Sequence, residues 1–267
     1  MKIGVFDSGI GGVTVLTELR KSLPGADYVY IGDTAHLPYG TKSAAQIGRL
    51  SAACAHTLKS KNVDAVVVAC NTVSAWALEP IREVMGDIPV FGVVEPGVEA
   101  ALSALKRDFD AGAPVMVLAT PATVRSGSYG KILRQALADS GIKATVIEQA
   151  CPLLVPMIEE GWIDHPILHQ TIQEYVQKHL SQHPRGVALL GCTHYPWIQE
   201  AFEKALSGWR VVNSAQAIVE FLVRKGISKG ILTGNSESSA GQRGLVEWIF
   251  TDVEAVPSFA RRLIQNQ

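Results

Sequence analysis

Short apolar runs alternate along the chain with longer amphipathic segments. Several of the short runs are apolar at every position, which is typical of strands buried on both faces of a parallel sheet. Strands are predicted over residues 3–6, 28–31, 65–69, 90–94, 115–118, 145–147 and 187–190. Helices are predicted between them, for example over residues 13–23, 43–60 and 122–138. Because strands and helices alternate, we expect βαβ units and a layered α/β fold.

The two halves of the chain show a faint similarity. Each half contains an apolar strand that leads into a cysteine, Cys70 in the first half and Cys192 in the second. Chance similarity among apolar strands is the alternative explanation. We interpret the pattern as two similar α/β lobes. The expected division places residues 1–94 plus 207–267 in the first lobe and residues 95–206 in the second.

The composition is that of a globular protein. The chain has 267 residues, of which 47% are hydrophobic and 18% charged, so it supports a sizeable core and is neither disordered nor fibrous. Its 24 Lys and Arg residues nearly balance 25 Asp and Glu residues. A net charge of −1 gives no bulk attraction to nucleic acid or to an anionic membrane, and we expect neither as a partner.

The four cysteines, Cys54, Cys70, Cys151 and Cys192, are widely spaced and contain no Cys-x-x-Cys pair. This spacing is not a disulfide framework, so we expect a reducing, cytoplasmic location. The apolar run at the N-terminus stops at Asp7, before the apolar region of a signal peptide could form.

Two of these cysteines stand at positions that favour chemistry. Burial as a small hydrophobic residue suffices to explain Cys54 and is the preferred explanation for Cys151. Cys70 and Cys192 instead follow buried strands and precede predicted helix starts, where a thiol pKa is lowered. Ligands of open α/β sheets bind beyond the carboxyl ends of the strands, so a functional role for this pair is favoured.

A glycine-rich loop over residues 7–12 follows the first strand. It is not a dinucleotide fingerprint, because Thr14 stands where the third glycine is required, and no Walker sequence is present. Two interpretations remain open. The loop is either a tight strand-to-helix turn or a carboxylate-binding site made by backbone N–H groups.

Cys192 and His194 allow two further interpretations. They could be metal ligands, but no third and fourth ligand is evident nearby. They could also be the nucleophile and base of a Cys-dependent hydrolase with a covalent intermediate. Residues two apart seldom face each other on a helix, so the second interpretation requires an unusual turn.

Five segments, taken together and in this order, resemble the cofactor-independent glutamate racemases of the aspartate/glutamate racemase superfamily. They are Asp-Ser-Gly-Ile-Gly-Gly at 7–12, Gly-Asp-Thr at 32–34 with Pro-Tyr-Gly at 38–40, Cys-Asn-Thr-Val-Ser-Ala at 70–75, Cys-Pro-Leu-Leu-Val-Pro at 151–156 and Gly-Cys-Thr-His-Tyr-Pro at 191–196. Aspartate racemases are similar around the cysteines but typically lack the first segment. Glutamate is therefore the preferred substrate, and aspartate or another amino acid is the alternative.

The resemblance implies two pseudo-symmetric lobes, each a mainly parallel sheet flanked by helices, with the active site between them. It implies interconversion of L- and D-glutamate without cofactor or metal, which supplies D-glutamate for peptidoglycan synthesis and cell shape. It leaves open a homodimer. A Cys-dependent hydrolase and a non-catalytic, two-lobed binding protein are the competing hypotheses.

The resemblance also implies the roles of individual residues. Cys70 and Cys192 are the acid/base pair, with Asp7 assisting Cys70, and His194 with Glu159 assisting Cys192. The implied substrate-binding residues are Asp7, Ser8, Tyr39, Gly40, Asn71, Thr72, Thr120, Thr123, Thr193 and His194.

Overall fold

The computed structural model describes residues 1–109, 112–225 and 243–265. Its strands, in chain order, are β1 (Lys2–Asp7), β2 (Asp27–Gly32), β3 (Ala65–Val68), β4 (Val90–Gly92), β5 (Val115–Ala119), β6 (Val146–Ala150), β7 (Gly186–Gly191), β8 (Trp209–Asn213) and β9 (Val246–Phe250). The first sheet has the order β4-β3-β1-β2-β9 and the second the order β6-β5-β7-β8. All of these neighbours pair in parallel. The predicted α/β fold with two parallel sheets is therefore confirmed.

The helices connect the strands and cover the faces of both sheets. They are α1 (Val13–Ser22), α2 (Ala44–Ser60), α3 (Asn71–Trp76), α4 (Leu78–Met85), α5 (Val94–Asp108), α6 (Pro121–Ser126), α7 (Ser128–Asp139), α8 (Leu154–Glu159), α9 (Pro166–Gln182), α10 (Gln199–Ala205), α11 (Ser214–Arg224) and α12 (Ser258–Gln265). Short 3-10 helices occupy Thr34–His36, Tyr39–Thr41 and Tyr195–Ile198. Among the residues that the structure describes, no helix combines the length and the hydropathy that crossing a bilayer requires.

Both faces of each sheet are buried, which explains the uninterrupted apolar runs in the sequence. Along β1, Val5 packs into the core on one face of the first sheet and Phe6 into the core on the other. Along β5, Val117 and Leu118 alternate in the same way. Because side chains on a strand point alternately to the two faces, a strand covered on both sides needs an apolar residue at every position.

Local signals decide where several helices begin and end. Ser43 caps α2 in a reciprocal capping box with Gln46. The single helix predicted over residues 122–138 is instead two helices, α6 and α7. Gly127 separates them with a φ of 63°, a left-handed conformation that glycine adopts at little cost.

The sequence pattern missed β8 and β9, which are edge strands of their sheets. Arg210 in β8 and Glu247 in β9 are exposed, so neither strand forms a continuous apolar run. Since β8 pairs with β7, it lies in the second sheet, whereas the expected division placed residues 207–267 in the first lobe. The chain returns to the first sheet only at α11, whose Ile218 and Leu222 pack in the same core as Leu16. The lobe division itself stays a prediction.

Candidate active site

A cavity lies where the carboxyl ends of the central strands of both sheets meet. It encloses about 660 Å³ including its open mouth. Ten of the predicted site residues line it: Ser8, Tyr39, Gly40, Cys70, Asn71, Thr72, Thr120, Cys192, Thr193 and His194. The other three, Asp7, Thr123 and Glu159, contact lining residues by hydrogen bonds and stand behind the wall.

Cys70 follows β3 and stands at the N-cap position of α3, without a capping hydrogen bond from its side chain. Its buried thiol donates a hydrogen bond to Ser8 Oγ at 3.3 Å. Burial raises the pKa of the Cys70 thiol to about 12, the charge of Asp7 adds to the rise, and the hydrogen bond with Ser8 partly offsets it. The prediction that a helix start lowers the thiol pKa is therefore wrong for Cys70, because burial of the thiol outweighs the effect of a short helix.

Asp7 ends β1 and is fully buried. Its carboxylate accepts hydrogen bonds from the Gly9 backbone N–H at 2.9 Å and from Thr193 Oγ at 3.3 Å. Burial raises the pKa of Asp7, although the charge of His194 and these hydrogen bonds oppose the rise. The bond to Thr193 joins the end of the first sheet to the loop that follows β7 in the second.

The glycine-rich loop lets the two sheets approach each other. A Cβ atom added to Gly11 would lie 2.3 Å from Thr193 Oγ and 2.5 Å from His194 Nδ1. This spacing leaves no room for a side chain, so the close contact with the loop after β7 explains why glycine stands at position 11. The turn and the carboxylate-binding interpretations of the loop both stay predictions.

Cys192, His194 and Glu159 form a chain of contacts on the second-sheet side of the cavity. The Cys192 sulfur lies 4.0 Å from His194 Nδ1, and His194 Nε2 lies 3.0 Å from Glu159 Oε1. A bend followed by the 3-10 helix Tyr195–Ile198 takes the place of the predicted helix start. This turn brings together two side chains that an α-helix would hold apart.

Burial alone would lower the pKa of His194. Hydrogen bonds and charges from Cys192 and Glu159 outweigh burial and raise the pKa of His194 to about 10. The imidazole therefore favours its protonated form near neutral pH, and it lies beside the Cys192 sulfur and the Glu159 carboxylate.

Three threonine hydroxyls meet where the first sheet faces the second. Thr72 on α3 lies 3.0 Å from Thr120 and 3.1 Å from Thr123, and the last two are 3.0 Å apart. Among the described residues that line the cavity, none is Lys or Arg. Hydroxyl, amide and backbone donors are therefore available to an anionic ligand beside the imidazole of His194.

The sequence pattern of the Asp/Glu/Hydantoin racemase family matches residues 12–222. The chain belongs to this family. The curated glutamate racemase of Persephonella marina is 42% identical over 239 residues, which are 89% of this chain and 86% of that protein. The crystal structure of glutamate racemase from Francisella tularensis in complex with D-glutamate aligns with a TM-score of 0.83 at 32% identity, covering 99% of this chain and 93% of that one. Glutamate racemase from Aquifex pyrophilus aligns with a TM-score of 0.76 at 38% identity, covering 100% and 96%.

The predicted resemblance to glutamate racemases is thus confirmed, and this member of the racemase family is an isomerase. Within the ranges that the structure describes, no three His, Cys, Asp or Glu side chains are grouped as they are around a metal ion.

Several residues of the site were not predicted from the sequence. Cys151 lines the cavity directly after β6, and the strand-end rule applied to that strand would have found it. Asp33 accepts a hydrogen bond from the Tyr39 phenol at 2.6 Å, so the Tyr39 side chain is held by the protein itself. Tyr129 and Ser214 were also not predicted, and their side chains hold the amide of Asn71 by hydrogen bonds.

Gly11→Ala is expected to lower racemase turnover by about a hundredfold, because the added methyl group must displace Thr193 and His194, and ångström-scale misplacement costs about that much. The matched control is Gly48→Ala in α2, where the nearest atom to an added Cβ is Pro80 Cγ at 3.8 Å. The control should keep full turnover and gain about 0.5–1 kcal/mol in unfolding free energy. Normal turnover in Gly11→Ala would contradict the packing argument.

Glu159→Gln is expected to lower the pKa of His194 from about 10, because the carboxylate that holds the imidazolium is removed. NMR titration of the imidazole measures this directly. Glu160→Gln is the matched control, because the neighbouring Glu160 is exposed and makes no such contact. Equal His194 midpoints in the wild type and Glu159→Gln would contradict the assignment.

The contact between His194 and Glu159 also links the free energy of unfolding to pH. The folded pKa of His194 lies above the ordinary value of 6.5, so the contribution of its protonated form is complete below pH 6.5 and is lost as the pH rises through about 10. The stability difference between wild type and Glu159→Gln should therefore shrink over that range.

Proposed function

We propose that the chain interconverts L- and D-glutamate by two-base chemistry, with Cys70 and Cys192 on opposite faces of the substrate Cα and without a cofactor. The observation that carries the proposal is the position of the two thiols. They follow strands of different sheets, line one cavity, and each has its own buried polar partners. The named relatives and the D-glutamate complex of a similar structure support glutamate as the substrate.

Racemisation requires a proton to leave one face of Cα and another to arrive on the opposite face. When L-glutamate reacts, the Cys192 thiolate removes the proton while the Cys70 thiol donates its own. The environments fit this starting state, because His194, whose own pKa is raised, lies 4.0 Å from the Cys192 sulfur, and burial raises the pKa of Cys70. After one turnover, Cys192 is the thiol and Cys70 the thiolate.

In the reverse direction Cys70 must first lose its proton. The charge of Asp7 raises the pKa of Cys70, so Asp7 cannot act by stabilising the thiolate. It is suited to take up the thiol proton instead, because burial raises the pKa of its own carboxyl group. A carboxyl with a raised pKa is a better general base than an ordinary aspartate.

Negative charge grows on the substrate α-carboxylate as the Cα proton leaves. Hydroxyl and backbone donors that are already oriented stabilise such charge, often as the largest catalytic contribution. We assign this role to the hydroxyl of Thr72 and to the backbone N–H groups of Asn71 and Thr193, because the side chains of the last two already bond to other residues. Ser8, Tyr39, Gly40, Thr120 and Thr123 complete the binding wall around the rest of the amino acid.

The product gives the proposed biological role. D-Glutamate is a precursor for peptidoglycan, so we propose a function in cell-wall synthesis and cell shape, in the cytoplasm. The four cysteines are free thiols, which fits a reducing compartment.

One observation favours a second candidate function. The contacts from Cys192 to His194 to Glu159 are also those of a nucleophile, its base and an orienting carboxylate in a Cys-dependent hydrolase. Such an enzyme would not need Cys70. Racemisation assays with a panel of amino acids, aspartate included, distinguish a glutamate racemase from a racemase of aspartate or of another amino acid.

Cys70→Ala and Cys192→Ala are each expected to abolish racemisation of L-glutamate, and the double variant to be scarcely worse, because groups that act as one unit give non-additive losses. Circular dichroism follows the reaction, on protein dialysed against a chelator with no pyridoxal phosphate added. Cys54→Ala, at a buried thiol that does not line the cavity, is the control with normal turnover. Turnover in Cys70→Ala, or activity that returns only with a metal or cofactor, would overturn the proposal.

Early D-glutamate formed from L-glutamate in D₂O is expected to carry deuterium at Cα, while recovered L-glutamate keeps protium. The donor in the two-base scheme is a different thiol, which has already exchanged with solvent. Mass spectrometry of the two separated enantiomers makes the measurement. Substantial protium in the first D-glutamate would show that one base serves both faces.

A further inference from the structure

Tyr129, on α7, lies between the two cysteine segments without lining the cavity. Its side chain is fully buried. Its phenol donates a hydrogen bond to Asn71 Oδ1 at 2.5 Å, and Asn71 is the residue that follows Cys70. Its ring packs against Gly191, the residue before Cys192, where an added Cβ would lie 3.2 Å from Tyr129 Cε2. One side chain therefore contacts the chain beside both thiols.

The amide of Asn71 is held at both ends. Its nitrogen donates to Ser214 Oγ at 3.1 Å, and Ser214 begins α11, where the chain crosses from the second sheet to the first. Asn71 and Ser214 are 2% and 0% exposed, so water cannot replace these bonds. Burial, with a contribution from the charge of Cys192, raises the pKa of Tyr129, so its phenol stays protonated and can donate.

We infer that Tyr129 is a positioning residue for racemisation, which sets the distance between the Cys70 and Cys192 segments. The inference rests on the proposed two-cysteine mechanism. That mechanism requires both sulfurs to reach one Cα atom from opposite sides, so the spacing of the two segments must be fixed. The rigid ring fixes the Cys192 segment through its contact with Gly191, and the phenol fixes the Cys70 segment through its hydrogen bond to Asn71.

Tyr129→Phe keeps the ring against Gly191 and removes only the bond to Asn71. It is expected to lower kcat/KM for glutamate by about tenfold, because a buried acceptor loses its partner and the Cys70 segment is released. Tyr28→Phe is the matched control. Tyr28 is also buried and its phenol donates to the Leu23 carbonyl at 2.9 Å, away from the cavity. The control should keep wild-type kinetics although it loses an equivalent hydrogen bond.

Isotope effects separate positioning from general destabilisation. In Tyr129→Phe, proton transfer at Cys70 should become slower. Cys70 deprotonates D-glutamate, so the kinetic isotope effect measured with D-[2-²H]glutamate should rise relative to that measured with L-[2-²H]glutamate. Ser214→Ala, which frees the other end of the Asn71 amide, should shift the ratio the same way and serves if Tyr129→Phe does not fold. An unchanged ratio in a folded variant, or kinetics equal to those of Tyr28→Phe, would overturn the inference.

A separate measurement does not depend on the substrate. Alkylation of each cysteine by iodoacetamide, mapped by mass spectrometry, should become faster at Cys70 in Tyr129→Phe and stay unchanged at Cys192. Equal rates at Cys70 in the variant and the wild type would overturn the inference. If the wild-type chain does not racemise glutamate, the proposed function is wrong, and the alkylation rates still decide the role of Tyr129.

Discussion

The site depends on how closely the carboxyl ends of the two parallel sheets approach each other. The approach is possible because Gly11 has no side chain, which would otherwise collide with Thr193 and His194. Polar groups at the strand ends then bond across the gap, as Asp7 does to Thr193. In this buried region, hydrogen bonds are strong and an unpaired polar group is costly, so the cross-sheet bonds define one arrangement of the cavity.

Two similar sheets nevertheless give their cysteines dissimilar surroundings. Cys70 stands beside an acidic group, Asp7, in a fully buried position. Cys192 stands beside His194, whose pKa is raised by its contacts with Cys192 and Glu159. The two thiols therefore differ in their electrostatic surroundings, which suits the different starting states that we propose for them. A strictly symmetric site would provide two identical thiols, and neither would be preferred as the base.

The sequence predicted the strands that are covered on both faces, because burial demands an apolar residue at every position. It missed β8 and β9, since an edge strand with Arg210 or Glu247 on it lacks that pattern. The strand-end rule located the cysteines, and the resemblance supplied their partners. The residue pattern without the resemblance could not predict the close contact of Cys192 with His194, because it depends on a local turn that replaces a helix.

Other parts of the site depend on tertiary packing alone. Glu159 and Glu160 are adjacent carboxylates, and only the rotation of α8 determines which of them points to His194. In the sequence, Tyr129 is an aromatic residue on an amphipathic helix and resembles any other core residue. Its contacts with Asn71 and Gly191 connect three segments that are distant in the chain.

Cys70 and Cys192 line one cavity, and this has a consequence for how such an enzyme works in a cell. Enantiomers have equal free energies, so a racemase cannot drive its reaction and the flux follows whichever enantiomer is consumed. Each product molecule must therefore leave as readily as the substrate enters. Directionality then belongs to the downstream consumer of the product, and the enzyme only keeps the two pools in exchange.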